Sequence, residues 1–333
     1  MKRCPECRRD YSDETLNFCL DDGTRLGAGM DDVTAILPVG ALMRDASARS
    51  QVDTEQQEIR FCTAGDGVRL AYSLTGKGPL LVRVLGHFTH LEMEWEWPDL
   101  RHFWELLAER YTVLRYDGRG IGLSDHYAGD FTEATRERDL DAVLTKVGTK
   151  NAILLGISEG GWTAAAYANR HPNRVSRLIL YGAYSRGAQA RTAYDPEEDE
   201  ALITLIRKGW GRNNPAFRQV MTSMFFRPDA DPKLIAHFNE LQRISADPET
   251  AARYYQSLHT RGDGGEMFRQ VKVPTLVLHG RDDMAVSAEE GRLLASIIPG
   301  AHLVLLPNAT HYFPTDRDVV TKVVGAINRF VDG

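Results

Sequence analysis

The sequence lacks three features that would place it in common functional classes. Its 333 residues carry 46 acidic and 40 basic side chains, a net charge of −6, so it has no basic excess to attract nucleic acid or an anionic membrane. No run approaches the roughly 18 apolar residues of a membrane span. The start, MKRCPECRRD, lacks the apolar stretch of a secretory signal. We therefore expect a cytoplasmic protein that binds neither nucleic acid nor membrane.

Cysteine is also scarce, and its distribution is uneven. Three of the four cysteines, Cys4, Cys7 and Cys19, lie within the first 19 residues, whereas Cys62 stands alone in a predicted strand as a buried apolar side chain. In a reducing compartment such a cluster favours metal binding over a disulfide. Cys4-x-x-Cys7 and Cys19-x-x-Asp22 are two knuckles of the kind that bind zinc tetrahedrally, with Asp22 where a fourth cysteine is usual.

This amino-terminal segment, with its CPxC opening and FCxxDG ending, resembles the short zinc-ribbon modules of many bacterial proteins. The resemblance implies a structural zinc site on Cys4, Cys7, Cys19 and Asp22, remote from any catalysis. It also makes a protein partner for the module an expectation. The alternative is a degenerate ribbon that folds without metal or stays loose.

The chain divides by pattern into three parts. Residues 1–27 form the small module, and residues 28–58 are a linker rich in small and polar residues, without a sustained period. In residues 59–333, strand-like runs alternate with helical stretches, which predicts a mainly parallel sheet covered by helices on both faces. The first two runs, IRFCTA and VRLAYSL, predict an antiparallel hairpin. A largely helical insert at about 185–268 is a candidate cap.

Residues 156–160, GISEG, match the G-x-S-x-G pattern in its proper context. An apolar strand, NAILLGI, precedes the motif, and a helix rich in small residues follows it. A sharp turn from strand to helix exposes the serine side chain, and small residues on either side relieve the crowding there. The pattern therefore predicts Ser158 as a nucleophile.

A serine nucleophile needs a base and a group that orients the base, and the downstream chain offers both. Asp283 follows the strand TLVLHG, and His311 follows the strand HLVLLP, so both are expected on loops at the carboxyl edge of the sheet. The alternatives are structural roles. His311 would then be a capping or core histidine, and Asp283 would cap the helix after it, a role that Ser287 fills equally well.

Together with these motifs, residues 59–333 resemble the α/β-hydrolase family. YDGRGIGLSD at 116–125 is similar to the family's D-x-R-G-x-G-x-S segment, and GRDDMAVS at 280–287 is similar to its G-x-x-D-x-x-V-P loop, which selects Asp283 over Asp282. The family's H-G segment is replaced by Leu85-Gly86. By that correspondence the backbone N–H groups of His87 and Glu159 would form the oxyanion hole.

The resemblance implies a serine esterase that acts through an acyl-enzyme, without a dissociable organic cofactor, on carboxylic esters of small to medium size. Lactone, amide and carbon–carbon bond hydrolysis, and perhydrolysis, remain open for the same triad. The segment GHFTHLEMEWEWPDLRHF looks most like the α/β-hydrolase domains that occur beside nucleotide cyclase domains. That similarity leaves open a second class, a ligand sensor or scaffold that uses the ribbon to bind a protein.

Three further patterns predict local features of the fold. The alternation of apolar and acidic residues over 91–97 predicts a short extended segment with one apolar face. The run DPEEDE at 195–200 predicts a solvated helix start rather than a cation site. Four aromatic residues of the insert are either pocket walls or cap core: Phe225, Phe226, Tyr254 and Tyr255.

Overall fold

The structure, a computed structural model, describes residues 2–3, 10–11, 57–84, 86, 88–126, 129–190, 195–309, 311 and 316–333. The chain forms two compact units, Met1–Glu55 and Gln56–Gly333. In the described part of the first unit, strands β1 (Lys2–Arg3) and β2 (Asp10–Tyr11) pair antiparallel. The predicted zinc ligands Cys4, Cys7, Cys19 and Asp22 lie outside the described residues, as does most of the predicted linker.

An eight-stranded sheet, in the order β10-β9-β8-β7-β5-β6-β4-β3, forms the centre of the second unit. Its neighbours are parallel except for β3 with β4 and β4 with β6, which are antiparallel. This confirms both the mainly parallel sheet and the predicted initial hairpin. The strands are β3 (Ile59–Thr63), β4 (Arg69–Thr75), β5 (Leu80–Val84), β6 (Thr112–Tyr116), β7 (Ala152–Ile157), β8 (Val175–Tyr181), β9 (Thr275–Gly280) and β10 (His302–Leu306).

Helices cover both faces of this sheet, as predicted. On β7, Leu154 packs into one apolar cluster, whereas Ile153 and Leu155 pack into another on the opposite face. Strands covered on both faces are continuously apolar, which is the pattern seen in NAILLGI. The first face carries α3 (Glu133–Val147), α4 (Gly160–Arg170) and α10 (Ala288–Ile297), and the second carries α2 (Pro98–Ala108) and α11 (Arg317–Asp332).

Between β8 and β9 the chain is helical, with α5 (Pro196–Gly209), α6 (Ala216–Thr222), α7 (Pro232–Ser245), α8 (Pro248–His259) and α9 (Gly265–Arg269). Helices α5, α7 and α8 begin in the same way. Asp195, Asp231 and Asp247 each accept a backbone N–H as the N-cap, and proline follows at the first helical position. The DPEEDE run is therefore a helix start. No helix in the described ranges has the length and apolar character of a membrane span.

The segment after the predicted oxyanion loop corrects one expectation. Residues Leu91–Glu96 form helix α1, not an extended strand. Leu91 and Glu94, three residues apart, are fully buried on the same face. The Glu94 carboxylate is placed there by buried arginines, since its oxygens lie 2.7 Å from Arg83 and 3.5 Å from Arg115. In a sequence, a glutamate suggests an exposed position, but Glu94 is buried. The alternation of apolar and acidic residues therefore did not indicate an extended segment.

Candidate active site

Ser158 lies at the turn between β7 and α4, in a backbone conformation that residues with a side chain rarely adopt. Its φ angle is 50°, and its N–H donates to the carbonyl oxygen of Tyr181 at 2.8 Å. A Cβ atom at Gly156 would lie 2.8 Å from the Gly161 Cα, and one at Gly161 would lie 2.6 Å from the Ala183 Cβ. The tight turn therefore requires both glycines, and it presents the serine at the strand end.

His311 and Asp283 reach Ser158 from the loops after β10 and β9. The Nε2 atom of His311 lies 2.8 Å from the Oγ of Ser158, and its Nδ1 atom lies 2.8 Å from the Oδ2 of Asp283. The side chains of His311 and Asp283 are 4% and 1% exposed. The structure thus brings together the three residues that the sequence nominated, in one hydrogen-bonded chain.

Asp283 is held by its own loop as well as by the histidine. Its Oδ1 atom accepts the N–H groups of Ala285 at 2.9 Å and Val286 at 2.8 Å. Burial alone would raise the pKa of this carboxyl, but the charge and hydrogen bond of His311 and the Val286 N–H outweigh burial and hold the pKa below its ordinary value. Ser287, not Asp283, caps the following helix, accepting the Glu289 N–H.

A second histidine, which the sequence analysis did not single out, supports the Asp283 loop. His279 is the last residue but one of β9 and is fully buried, with Nε2 2.9 Å from the carbonyl oxygen of Val286 and 3.6 Å from the Oδ2 of Asp283. Burial lowers its pKa. With its Nε2–H donated to the Val286 carbonyl, His279 fixes the end of the loop whose N–H groups bind the Asp283 carboxylate. The sequence could have indicated this role, because His279 lies in the strand TLVLHG, only four residues before Asp283.

The predicted oxyanion loop begins after β5 and packs directly on the serine turn. A Cβ atom at Gly86 would lie 1.7 Å from the carbonyl oxygen of Ile157 and 3.3 Å from the backbone nitrogen of Gly160. Glu159, the second predicted donor, is the N-cap of α4. His87 lies outside the described residues, so its role stays a prediction.

A cavity of about 410 Å³ opens above Ser158 and His311, between the sheet edge and the helical insert. One part of its wall is apolar, with Met221, Met224, Phe225, Met284 and Val286. Another part is polar and acidic, with Asp195, Glu198, Asp199 and His259. No lysine or arginine lines the cavity among the residues that the structure describes. Asp199 is paired with His259, with 2.5 Å between Oδ1 and Nδ1.

A sequence model of the alpha/beta hydrolase fold matches residues 90–318, more than half of the chain. The chain belongs to the α/β-hydrolase family. Both the strand order and the position of the Ser158 turn agree with this assignment.

Relatives of this α/β-hydrolase act on different substrates. A 2-hydroxy-6-oxo-6-(2'-aminophenyl)hexa-2,4-dienoic acid hydrolase from Metapseudomonas resinovorans is 27% identical over 261 residues, 76% of this chain and 84% of the relative. A bifunctional esterase/perhydrolase from Acinetobacter calcoaceticus is 26% identical over 79% of this chain and 96% of its own. The solved structure of an esterase from Exiguobacterium antarcticum has a TM-score of 0.70 at 25% identity, covering 82% of this chain and 99% of that one. The comparisons support a hydrolase.

The side chain of Glu159 is a feature of this α/β-hydrolase that sequence reasoning missed. The carboxylate is 1% exposed and lies 3.1 Å from Arg136 and 2.6 Å from Arg261, and Tyr184 donates its hydroxyl to the second oxygen. Arg261 also lies 2.7 Å from Glu133. The sequence suggested only a backbone role for Glu159, because nothing in the motif shows that two distant arginines converge on it.

The four aromatic residues of the insert divide between the two roles that the sequence left open. Phe225 and Tyr255 line the cavity. Phe226 packs on Phe238 with 5.1 Å between ring centroids, and Tyr254 packs on Phe88 at 5.0 Å, so both belong to the packed interior.

No group of three or more histidine, cysteine or acidic side chains in the described ranges is placed to hold a metal ion. Since the amino-terminal cysteines lie outside those ranges, the zinc site stays a prediction.

Proposed function

We propose that this α/β-hydrolase cleaves carboxylic esters of small to medium size through an acyl-enzyme on Ser158. The observation that carries the proposal is the continuous chain of hydrogen bonds from Ser158 through His311 to Asp283, with both links at 2.8 Å. Such a chain places a base on the serine hydroxyl and a carboxylate behind the base, which is the arrangement that activates serine near neutral pH.

The proposed reaction follows from these positions. The Ser158 Oγ attacks the ester carbonyl carbon while His311 Nε2 accepts the hydroxyl proton, and the ionised Asp283 stabilises the imidazolium. The backbone N–H groups of Glu159 and His87 hold the oxyanion of the tetrahedral intermediate. His311 then gives its proton to the departing alcohol. A water molecule, deprotonated by His311, attacks the acyl carbon; the bond from that carbon to the Ser158 Oγ breaks, the acid leaves, and His311 returns the proton to Ser158.

The cavity supports a neutral or cationic substrate more than an anionic one. Its volume of about 410 Å³ suits a small or medium ligand, and its apolar wall suits an acyl or aryl group. Another part of the wall carries Asp195 and Glu198, and no lysine or arginine side chain lines the described part of the cavity. An anionic group bound there would lack a cationic partner and would face like charges.

Carbon–carbon bond hydrolysis with the same triad is the second candidate. The relative from Metapseudomonas resinovorans, whose named substrate is a dienoic acid, favours it. The absence of a lysine or arginine from the described cavity wall weighs against a carboxylic acid substrate for this chain. A ligand sensor is the remaining alternative, and it predicts no ester turnover by a correctly folded wild type.

A fluorophosphonate tests whether Ser158 is an activated nucleophile. The expected result is attack of the serine oxygen on phosphorus with loss of fluoride, seen as one phosphonyl adduct per chain by intact mass. Peptide mapping should place the adduct on Ser158, and Ser158→Ala should remain unmodified. A folded wild-type chain that takes up no reagent over hours would contradict the proposal.

We also propose that the amino-terminal module holds one structural zinc ion on Cys4, Cys7, Cys19 and Asp22. The paired strands β1 and β2 flank the Cys4-x-x-Cys7 knuckle in the sequence, which supports the proposal. Elemental analysis of the purified full-length chain should find about one zinc per chain, and Cys4→Ser with Cys7→Ser should remove it. Wild-type protein prepared with zinc in the medium but free of the metal would overturn the proposal.

A further inference from the structure

Glu159 and the charged side chains around it form a network of ion pairs beside the proposed oxyanion hole. Glu159 and Glu133 supply two carboxylates, and Arg136 and Arg261 supply two guanidinium groups, so the group is neutral as a whole. Arg136 comes from α3, whereas Arg261 follows the cap helix α8. Both arginines are 11% exposed, and Glu159 is 1% exposed. Water therefore does little to screen this carboxylate, and its compensation depends on the arginines.

Geometry holds the two guanidinium groups in place from several sides. The Arg136 guanidinium lies 4.6 Å from the ring centroid of Tyr254 and donates to the Ser257 Oγ at 2.7 Å. The Arg261 guanidinium lies 5.0 Å from the ring centroid of Trp162. Aromatic faces and a hydroxyl are the partners that orient a buried guanidinium. The guanidinium group of Arg261, which comes from the cap, is therefore held in a defined position beside the serine turn.

The backbone and the side chain of Glu159 have opposite electrostatic effects on a developing oxyanion. Its backbone N–H is a proposed donor to the oxyanion, but its carboxylate places a negative charge on the same residue. An uncompensated charge there would oppose the negative charge that develops in the transition state. A site that depends on electrostatic stabilisation of an oxyanion thus requires this carboxylate to be neutralised.

We propose that Arg136 and Arg261 are positioning residues of the oxyanion site, which neutralise the Glu159 carboxylate so that the residue after the nucleophile stabilises negative charge. The inference rests on the proposed function, because it takes the Glu159 N–H as an oxyanion donor. It adds a role for the cap: Arg261, just after α8, completes the site electrostatically without touching the substrate.

The ionisation of Glu159 should respond to the loss of either arginine. Burial raises the pKa of Glu159, and the charges of Arg261 and Arg136 and the Tyr184 hydroxyl oppose that rise. Without Arg261, the Glu159 carboxylate keeps only Arg136 as a cationic partner, so its negative charge is only partly compensated. The charged or titratable groups that face it are Arg136 and Glu133 from α3, Tyr254 from α8, Tyr184 after β8, and Arg261.

The test compares Arg261→Met, Glu159→Gln and the double variant Glu159→Gln/Arg261→Met with the wild type. Methionine keeps an apolar contact with Trp162 and removes only the charge. We expect Arg261→Met to lower kcat for p-nitrophenyl butyrate by about 10- to 100-fold at pH 8.5, less than the loss of an oxyanion donor. The double variant should regain at least about half of that loss on a logarithmic scale, because the carboxylate of Glu159 is then absent. Glu159→Gln alone should cost less than Arg261→Met.

Two readouts separate this role from simple destabilisation. The advantage of the double variant over Arg261→Met should shrink as the pH falls, since protonation of Glu159 removes its charge. Arg261→Lys, which keeps the charge, should lose less activity than Arg261→Met. The matched control is Arg253→Met, on α8 but exposed and bound to the Gly129 carbonyl, which should remain within about twofold of the wild type.

The rate of Ser158 phosphonylation by the fluorophosphonate, measured on the same variants, keeps the two proposals distinct. Absence of labelling in the wild type defeats the proposed function, and with it the reason for compensation. Labelling of the wild type, together with equal rates for Arg261→Met and the double variant at every pH, overturns the charge-compensation role alone. Slower labelling of Arg261→Met that the second substitution reverses, in variants with the same thermal midpoint, is the result expected.

Discussion

The Nδ1 atom of His311 lies 2.8 Å from the Oδ2 of Asp283, while the Oδ1 of the same carboxylate accepts two backbone N–H groups. All three partners point donors at Asp283, so only an ionised, acceptor-only carboxylate satisfies them together. The geometry fixes the histidine with its proton on Nδ1 and leaves Nε2 to accept the Ser158 proton. Asp283 thus determines the tautomer of the base.

Asp283→Asn should therefore abolish most activity with little change in substrate binding. The amide directs an N–H either at His311 or at the loop, which favours the wrong tautomer, and we expect kcat to fall by about 1,000-fold or more. Steady-state kinetics on p-nitrophenyl butyrate measure the effect. The neighbouring variant Asp282→Asn changes an exposed residue and should stay within about twofold. Equal losses in the two variants would contradict the assignment.

Gly86→Ala should disrupt the approach of the oxyanion loop to the serine turn. The added Cβ atom would lie 1.7 Å from the Ile157 carbonyl oxygen, a backbone atom that cannot rotate away. We expect a drop in kcat of at least about 10-fold and a lower thermal midpoint, because the loop must shift to relieve the overlap. Gly65→Ala serves as the control, since a Cβ atom there meets nothing within 4 Å. A fully active Gly86→Ala variant would show that the loop does not form the oxyanion site.

The acidic part of the cavity wall should discriminate between substrates by charge. We expect the wild type to prefer p-nitrophenyl butyrate over the monoanionic p-nitrophenyl hemisuccinate, since no described lysine or arginine lines the cavity. Glu198→Gln removes one negative charge from the wall and should improve kcat/KM for the anionic ester by about 2- to 10-fold, without the same gain for the neutral one. Glu200 is exposed and does not line the cavity, so Glu200→Gln should leave kcat/KM unchanged for both esters. A wild-type preference for the anionic ester would count against this account.

Glu137 should make the stability of the protein fall as the pH rises. Burial between α3 and α4 raises the pKa of this carboxyl to about 7, although Arg170 lies 3.3 Å away and lowers it. Between the unfolded pKa of about 4.3 and the folded value, the unfolded chain releases this proton while the folded chain keeps it. The native state therefore loses stability across that window, and the full cost is present above pH 7.

The variant Glu137→Gln tests this pH dependence. Its free energy of unfolding is measured by denaturant unfolding at several pH values. Its free energy of unfolding relative to the wild type should rise by up to about 3 kcal/mol from pH 4 to pH 8, which is the cost of ionising the buried carboxyl. Glu200→Gln, an exposed change of the same type, should give a difference that does not vary with pH. A Glu137→Gln difference that is equally flat would refute the assignment.

The sequence predicted most of the fold and the residues of the hydrogen-bonded chain because both depend on local patterns. Parallel strands end at the same edge of a sheet, so motifs that follow β7, β9 and β10 had to meet there. The G-x-S-x-G pattern is itself a backbone requirement, as the φ angle of Ser158 shows. For Asp283, the competing capping role was filled by Ser287 instead.

The features that the sequence did not reveal are buried charges whose partners lie far along the chain. Glu94 faces inward because Arg83 and Arg115 on β5 and β6 bind it, and so a helix was mistaken for an extended segment. Glu159 is buried because Arg261, about a hundred residues later, reaches it from the cap. A sequence pattern predicts that a charged residue is exposed to solvent, because most charged residues are. Only the fold shows which of them are buried in ion pairs.

The most direct test of the central claim is hydrolysis of p-nitrophenyl esters from acetate to decanoate by the wild type and by Ser158→Ala. We predict turnover by the wild type with a preference for short or medium acyl chains, matching a cavity of about 410 Å³, and a loss of at least about 10,000-fold in kcat for Ser158→Ala. A correctly folded wild type that leaves every ester intact, or a Ser158→Ala variant that remains active, would contradict the account.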